Sequence, residues 1–187
     1  MARRREFDED EVLEQVMRTF WRHGYKGTSI DLLVEATGLH RSSLYGAFGR
    51  KEDLYRRALD RYSRQQAQRA VLDRGPRCAL ERWFRDALHG PGKDNNAPRG
   101  CLVVGSLAEY PDLDPELQGL IDLHLGAVRR FFHTMAATLV PADQLEAVTD
   151  VLLGANVAIY TLARASIPRA RLEAIAAAAL DRVGGAD

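Results

Sequence analysis

Apolar residues along this chain recur at helical spacings, interrupted by glycine, proline and short polar runs, and no stretch reads convincingly as a strand. Leu13, Val16, Met17 and Phe20 form the inner stripe of a first helix over 8–23, with acidic residues crowding its opening turn and Gly24 at its end. Ile30, Leu33 and Val34 stand at i, i+3 and i+4 and predict a short second helix over 29–37. Thr28 is its expected N-cap, and the charge of Asp31 suits its positive end. Gly38 supplies a left-handed turn, Leu39 gives that turn an apolar residue to bury, and Leu44 and Phe48 carry a third short helix over 40–48. Leu54, Ala58 and Tyr62, at i, i+4 and i+8, predict a fourth helix from 50 to about 73 that reaches from the first three into the rest of the chain. After Gly75 and Pro76, a fifth helix carries Leu80, Trp83, Phe84, Ala87 and Leu88. A loop by composition covers 90–100, and an apolar sixth helix follows it, ended by Pro111. Asp114 and Pro115 read as N-cap and first residue of a long seventh helix. An eighth follows over 143–165 and a last from Pro168, with Leu172, Ile175, Ala176, Ala179 and Leu180 on one face. About nine helices without a strand make an all-α protein.

The second and third helices, joined by a glycine turn, form the pattern of a helix-turn-helix, although such pairs also occur in helical proteins that bind no DNA. The outward face of the third carries His40, Arg41, Ser42, Ser43 and Tyr45 and no carboxylate. Arg41 suits a guanine edge, the hydroxyls suit bases or phosphates, and the small Ser42, Gly46 and Ala47 allow close approach of the backbone. Arg50 and Lys51 follow at the start of the fourth helix, where free N–H groups favour a phosphate. The candidate DNA-binding set is therefore Thr28, Ser29, His40, Arg41, Ser42, Ser43, Tyr45 and Lys51. Arg3, Arg4 and Arg5 form a basic arm, read either as a solvated terminus or as a phosphate or minor-groove contact.

The run from Thr37 to Leu54, TGLHRSSLYGAFGRKEDL, resembles the signature of the tetracycline-repressor (TetR/AcrR-like) family of bacterial one-component regulators. Gly38 and Leu39 stand at its turn, Leu44, Tyr45 and Phe48 in its recognition helix, and Lys51, Glu52 and Leu54 open the next. Gly46 and Ala47 depart from the pattern, which often has His or Tyr there, so more of the binding should rest on Arg41, Tyr45 and Lys51. The short run Pro98 to Leu102 also resembles one subgroup of the family. The resemblance implies a three-helix DNA-binding domain over 1–50 on a larger ligand-binding and dimerisation domain over 51–187, with the last two helices pairing across a homodimer. Ala176 and Ala179 are expected at that contact, since small residues let helices approach closely. A dimer presents two recognition helices to a palindromic double-stranded operator, with half-sites ~34–36 Å apart. The function expected is a dimeric transcriptional repressor released from its operator by a small-molecule effector.

Charge refines this picture. The chain carries 26 basic and 26 acidic residues, so no overall basic character announces nucleic acid. Its distribution is local: every charged residue from Gly38 to Lys51 is basic, whereas Glu6 to Glu14 is mostly acidic, which implies modest, salt-sensitive binding. No run approaches the ~20 apolar residues of a bilayer span, the charged N-terminus lacks a signal peptide's apolar core, and two cysteines suggest no disulfide framework. A cytoplasmic protein without a membrane partner is expected.

The effector pocket is expected among the fifth to eighth helices, from Trp83, Phe84, Cys101, Leu107, His124, Val128, Phe131, Asn156 and Tyr160. Trp83 and Phe84 read equally as core, and His124 as a satisfied core histidine. Cys101, beside Gly100 at a helix start, allows an alternative function as a thiol-based sensor of oxidants or electrophiles, set against an inert buried cysteine. No metal-spacing cluster, nucleophile–base pairing or phosphate-binding glycine loop is present in the sequence, so neither an enzyme nor a cofactor or metal is expected.

Overall fold

Asp8 opens the first helix by accepting the backbone N–H groups of Asp10 and Glu11, which a helix start leaves without intrahelical partners. The computed structural model describes residues 7–69, 75–89 and 100–184. The basic arm Arg3, Arg4 and Arg5, all but the last residue of the loop expected over 90–100 and the end of the fourth helix near 73 lie outside them. Helix α1 spans Glu9–Gly27 and is broken at Gly24, whose φ of 73° and ψ of 178° only glycine adopts at little cost. Gly24 thus interrupts the helix instead of ending it, and a further turn runs on to Gly27. Helices α2 (Ile30–Thr37) and α3 (Arg41–Phe48) meet at Gly38, left-handed at φ 66°, as the turn requires. Then follow α4 (Lys51–Arg69), α5 (Pro76–His89) and the short α6 (Leu102–Ser106), which tightens into a 3-10 turn over Leu107–Asp112. Helix α7 (Pro115–Ala136) starts on the Asp114 cap and Pro115 as expected, and α8 (Leu145–Arg164) and α9 (Arg169–Leu180) complete the bundle. Among the described residues there are nine α-helices and no strand, so the all-α architecture holds.

Two apolar cores divide the molecule. One gathers Val16, Met17, Phe20, Leu33, Leu44 and Phe48 of the first three helices with Leu54, Tyr55, Leu59 and Tyr62 of α4, all of α6 up to Val104, and Leu117 and Ile121 of α7. The other joins Leu80 and Phe84 of α5, Val128, Phe132 and Met135 of α7, Leu152 and Ile159 of α8, and Ala176 and Ala179 of α9. Helix α4 is therefore packed into the head-side core over its first three turns, and α7 belongs to both cores.

Two expectations change here. Ala176 and Ala179 are buried inside the protomer, so they do not form a contact surface for a second chain. The reason is the pitch of α9: Leu172, Ala176 and Ala179 share the face turned inward, whereas Ala170, Ala174, Ala177 and Ala178 are exposed. Helix α8 is also long and apolar enough, by length and composition, to cross a membrane, which the run-length reading of the sequence passed over. Its apolar residues are used twice: Val148, Leu152 and Ile159 enter the second core, and Val151 with Gly154 forms a face outside it.

Candidate nucleic-acid interface and helical cavity

Leu44 and Phe48 fix α3 from beneath; Leu44 is fully buried, and the Phe48 ring lies 6.3 Å from that of Phe7. With these two inward, the helical pitch turns Arg41, Ser42, Ser43, Tyr45 and Gly46 outward, and His40 at the N-cap position is exposed beside them. No acidic residue stands on this face. Ser29 caps α2 by accepting the N–H of Leu32 at 3.1 Å and is also exposed. Thr28 is the exception among the predicted contacts. Its side chain is fully buried and its hydroxyl donates to the Gly24 carbonyl at 2.7 Å, so neither the cap nor a DNA contact falls to it. The helix starts one residue later than the sequence suggested because Thr28 closes the turn after the Gly24 break.

The cations of this face are not all free. Arg41 Nη2 lies 2.6 Å from Asp31 Oδ1, joining the third helix to the second across the turn through two exposed side chains. Lys51 is half-buried, with its ammonium 4.4 Å above the Tyr25 ring. Burial lowers its pKa from the ordinary lysine value, against the opposing pull of Glu52 and Glu109. Asp53 accepts the N–H of Arg50 at 3.0 Å, so the start of α4 offers fewer free donors than its position implied.

Behind the head, α1 is tied to the rest of the molecule through its break. A continuous helix would bond the N–H groups of Tyr25 and Lys26 to the carbonyls of Trp21 and Arg22. At Gly24 both bonds are replaced. Glu109 accepts Tyr25 N at 2.7 Å and Lys26 N at 3.1 Å, while Arg164 donates to Trp21 O at 3.0 Å and to Arg22 O at 3.1 Å. A carboxylate from the 3-10 turn after α6 and a guanidinium from the end of α8 thus satisfy four backbone groups of the head. Lys26 and Asp112, 2.6 Å apart, add an exposed pair alongside. Nothing in the sequence marked Glu109 or Arg164, because the partners they serve are backbone atoms distant along the chain.

Between α4, α5 and α7 lies a cavity of about 460 Å³. Of the residues predicted for a pocket, Trp83, His124, Val128 and Phe131 line it. Cys101, Asn156 and Tyr160 line a separate space of only about 10 Å³ behind, which shares Trp83, His124 and Val128 with the larger one. Phe84 and Leu107 line neither. Phe84 is stacked on Phe132 at 5.9 Å within the second core, and the 3-10 turn carries Leu107 against the head-side core. One whole wall was missed: Leu59, Ser63, Gln66 and Ala67 of α4. Their i, i+4, i+7 and i+8 spacing was available, but polar and small residues make a cavity face that apolar periodicity does not register.

His124 Nδ1 lies 2.9 Å from Ser63 Oγ, and burial pushes the His124 pKa down to about 4, so the ring is neutral at pH 7. Cys101 is buried, and that burial raises its thiol pKa, against hydrogen bonds from Tyr62 and the Val104 and Val103 amides. A reactive thiolate needs the reverse, and the geometry gives the sensor alternative no support. Among the described residues, no group of three His, Cys, Asp or Glu side chains could hold a metal ion.

Comparison with known proteins agrees with this geometry. Residues 12–58 match the family described as bacterial regulatory proteins, tetR family. The chain is 36% identical over 105 residues to the HTH-type transcriptional repressor ComR of Escherichia coli, covering 54% of this chain and 50% of ComR. It is 31% identical over 122 residues to the HTH-type transcriptional regulator YezE of Bacillus subtilis, covering 63% of this chain and 62% of YezE. The chain thus spans about half to three-fifths of the length of these curated relatives. A solved structure extends the likeness to nearly the whole molecule. It holds a cysteine-substituted form of the TetR family transcriptional regulator CifR, complexed with 26-base-pair double-strand operator DNA, and superposes with a TM-score of 0.81 at 31% identity over 96% of this chain and 98% of CifR. The turn at Gly38, the outward polar helix and this full-length match lead to one assignment: the chain belongs to the TetR family of bacterial transcriptional regulators.

Proposed function

We propose that this protein is a homodimeric transcriptional repressor that holds a palindromic double-stranded operator and leaves it when a small molecule occupies the cavity beside α4. The observation that carries the reading is the outward face of α3, polar, carrying Arg41 and no carboxylate of its own, set on the Gly38 turn in a chain that superposes on operator-bound CifR. Ser29, His40, Arg41, Ser42, Ser43 and Tyr45 are the DNA-facing residues, with Lys51 at their edge. The protein would act in the cytoplasm, where chromosomal DNA is.

Helix α4 supports the release step. Leu54, Tyr55 and Ala58 are fully buried with the head, and Leu59 and Ser63, within the next turns, line the cavity. An occupant that favours a different position of α4 changes the spacing of the two heads, and it acts only through its difference in affinity for the two positions. A coupling of ~1–3 kcal/mol lowers operator affinity about 5–150-fold. Sequencing of the genomic fragments retained by the purified protein tests the reading. Enrichment of a palindrome with half-sites about one helical turn apart is expected. Retention no better than random DNA would sink it.

A further inference from the structure

We propose that the cavity beside α4 takes an uncharged, largely apolar ligand with a planar ring and one hydrogen-bonding oxygen, the ring lying against Trp83 and Phe131 and the oxygen at the His124–Ser63 pair. This rests on the regulator reading only for its consequence, because the binding itself concerns the cavity alone.

Size comes first. About 460 Å³ lies within the ~300–1,000 Å³ range of small-molecule sites and suits neither a bare ion nor a folded partner. The wall is carbon-rich. The Trp83 and Phe131 rings are 4.8 Å apart and 28° from parallel, and the indole N–H is already spent on Asn156 Oδ1 at 2.9 Å. Trp83 therefore offers the cavity ring carbon and no donor, which favours a stacked planar group.

Charge decides the class. Among the described residues of the lining, the two charged ones, Asp60 and Arg64, are 2.8 Å apart on one exposed helix surface and neutralise each other at the rim. His124 is neutral, so it supplies no cation for an anionic ligand, and among the described residues the interior supplies no carboxylate for a cationic one. A charged ligand would lose its water without gaining a partner inside the cavity. Inside, a polar pair does stand ready. Ser63 occupies His124 Nδ1, and among the described residues no group takes its Nε2. A neutral imidazole so held presents one donor or one acceptor, which matches a carbonyl, hydroxyl or ether oxygen.

Three near-isosteric probes test this on the full-length protein at pH 7 by calorimetry or equilibrium dialysis: 2-naphthol, 2-naphthoate and 2-naphthylmethylammonium. Binding of 2-naphthol at least tenfold tighter than both charged probes is expected. His124→Leu should weaken 2-naphthol at least fivefold while leaving naphthalene itself bound, and the naphthalene signal certifies that the variant keeps its cavity. Equal or tighter binding of either charged probe overturns the proposal, as does a His124→Leu variant that holds 2-naphthol unchanged, or no binding of any probe at its solubility limit. A parallel DNA-retention assay without probe separates the two readings: DNA retained with no 2-naphthol bound removes the ligand class and leaves the regulator, and the reverse removes the regulator.

Discussion

Arg41 lies on Asp31, so a guanine edge must compete with a carboxylate for the same guanidinium fork. Both partners are solvent-exposed, which puts the ion pair at roughly 0.2–1 kcal/mol, less than the ~1–3 kcal/mol of a base contact. Arg41 should therefore exchange Asp31 for DNA, with Asp31 setting the threshold. Arg41→Ala is expected to flatten the preference among operator variants, and Asp31→Asn to tighten operator binding a few-fold. The gain from Asp31→Asn should shrink when Arg41 is already Ala. Fluorescence anisotropy on the four proteins measures this; additive effects would show that Asp31 acts by general repulsion and not through Arg41. His124 gives a second residue-scale outcome. Burial holds its pKa near 4, below the unfolded value of 6.5, so the neutral form stabilises the fold fully above pH 6.5. As pH falls from 6.5 towards 4, the unfolded chain takes up a proton that the folded one refuses, and stability is lost at ~1.4 kcal/mol per pH unit. Urea unfolding at pH 7 and pH 5 should differ by up to about 2 kcal/mol from this residue, and His124→Gln should remove that part of the slope. An unchanged slope in the variant would place the proton uptake elsewhere.

At the scale of elements, the break in α1 matters more than its length. Glu109 and Arg164 replace two helical hydrogen bonds, so the head is gripped by the 3-10 turn after α6 and by the last turn of α8. Each grip is a charged group on backbone dipoles, worth ~1.5–3 kcal/mol per hydrogen bond at most, and movement of either element must strain or release it. Glu109→Gln is the mild test, since its amide can accept only through one oxygen; Arg164→Met removes the other side outright. Both should loosen the head, seen as faster amide exchange at Tyr25 and Lys26, with Arg164→Met also weakening the response of DNA binding to an occupant of the cavity. Protection unchanged in both variants would mean that packing alone holds the junction. This junction also marks where the sequence stops being readable. The Gly38 turn, the Asp114–Pro115 start and the inward Leu44 and Phe48 were legible because each is a local rule acting within one or two turns. Thr28 was misread by one residue because cap rules do not resolve adjacent Thr and Ser when the break at Gly24 leaves a carbonyl that takes the Thr28 hydroxyl. The α4 wall of the cavity and the Glu109–Arg164 grip join residues far apart in sequence, and no periodicity within a helix encodes them.

For the molecule as a whole, equal numbers of acidic and basic residues leave no net charge to draw the protein to DNA, so on the proposed function operator affinity rests on the local basic stretch of each head and on two heads acting together. That puts weight on the surface that pairs the protomers. The inward faces of α8 and α9 are consumed by the second core, with Leu152, Ile159, Ala176 and Ala179 nearly inaccessible. The outward faces are of another kind: Ala147, Val151 and Gly154 on α8, with Ala170, Ala174, Ala177 and Ala178 on α9, are small, mostly apolar and exposed. Such a surface allows two helix pairs to approach closely about a twofold axis. Val151, 45% exposed, distinguishes assembly from folding. Val151→Glu puts an unpaired charge into the proposed contact yet meets water in the single protomer, so helicity should persist while the sedimentation coefficient falls to that of a monomer at micromolar concentration. Ala176→Glu, by contrast, forces a carboxylate into the protomer's own core and should unfold it, with a loss of several kcal/mol. Operator binding by the Val151→Glu protein should drop at least tenfold and lose its dependence on half-site spacing, because each head then binds alone. A Val151→Glu protein that still sediments as a dimer would move the pairing surface off α8, and a wild type that is monomeric at that concentration would leave two-headed binding without a basis.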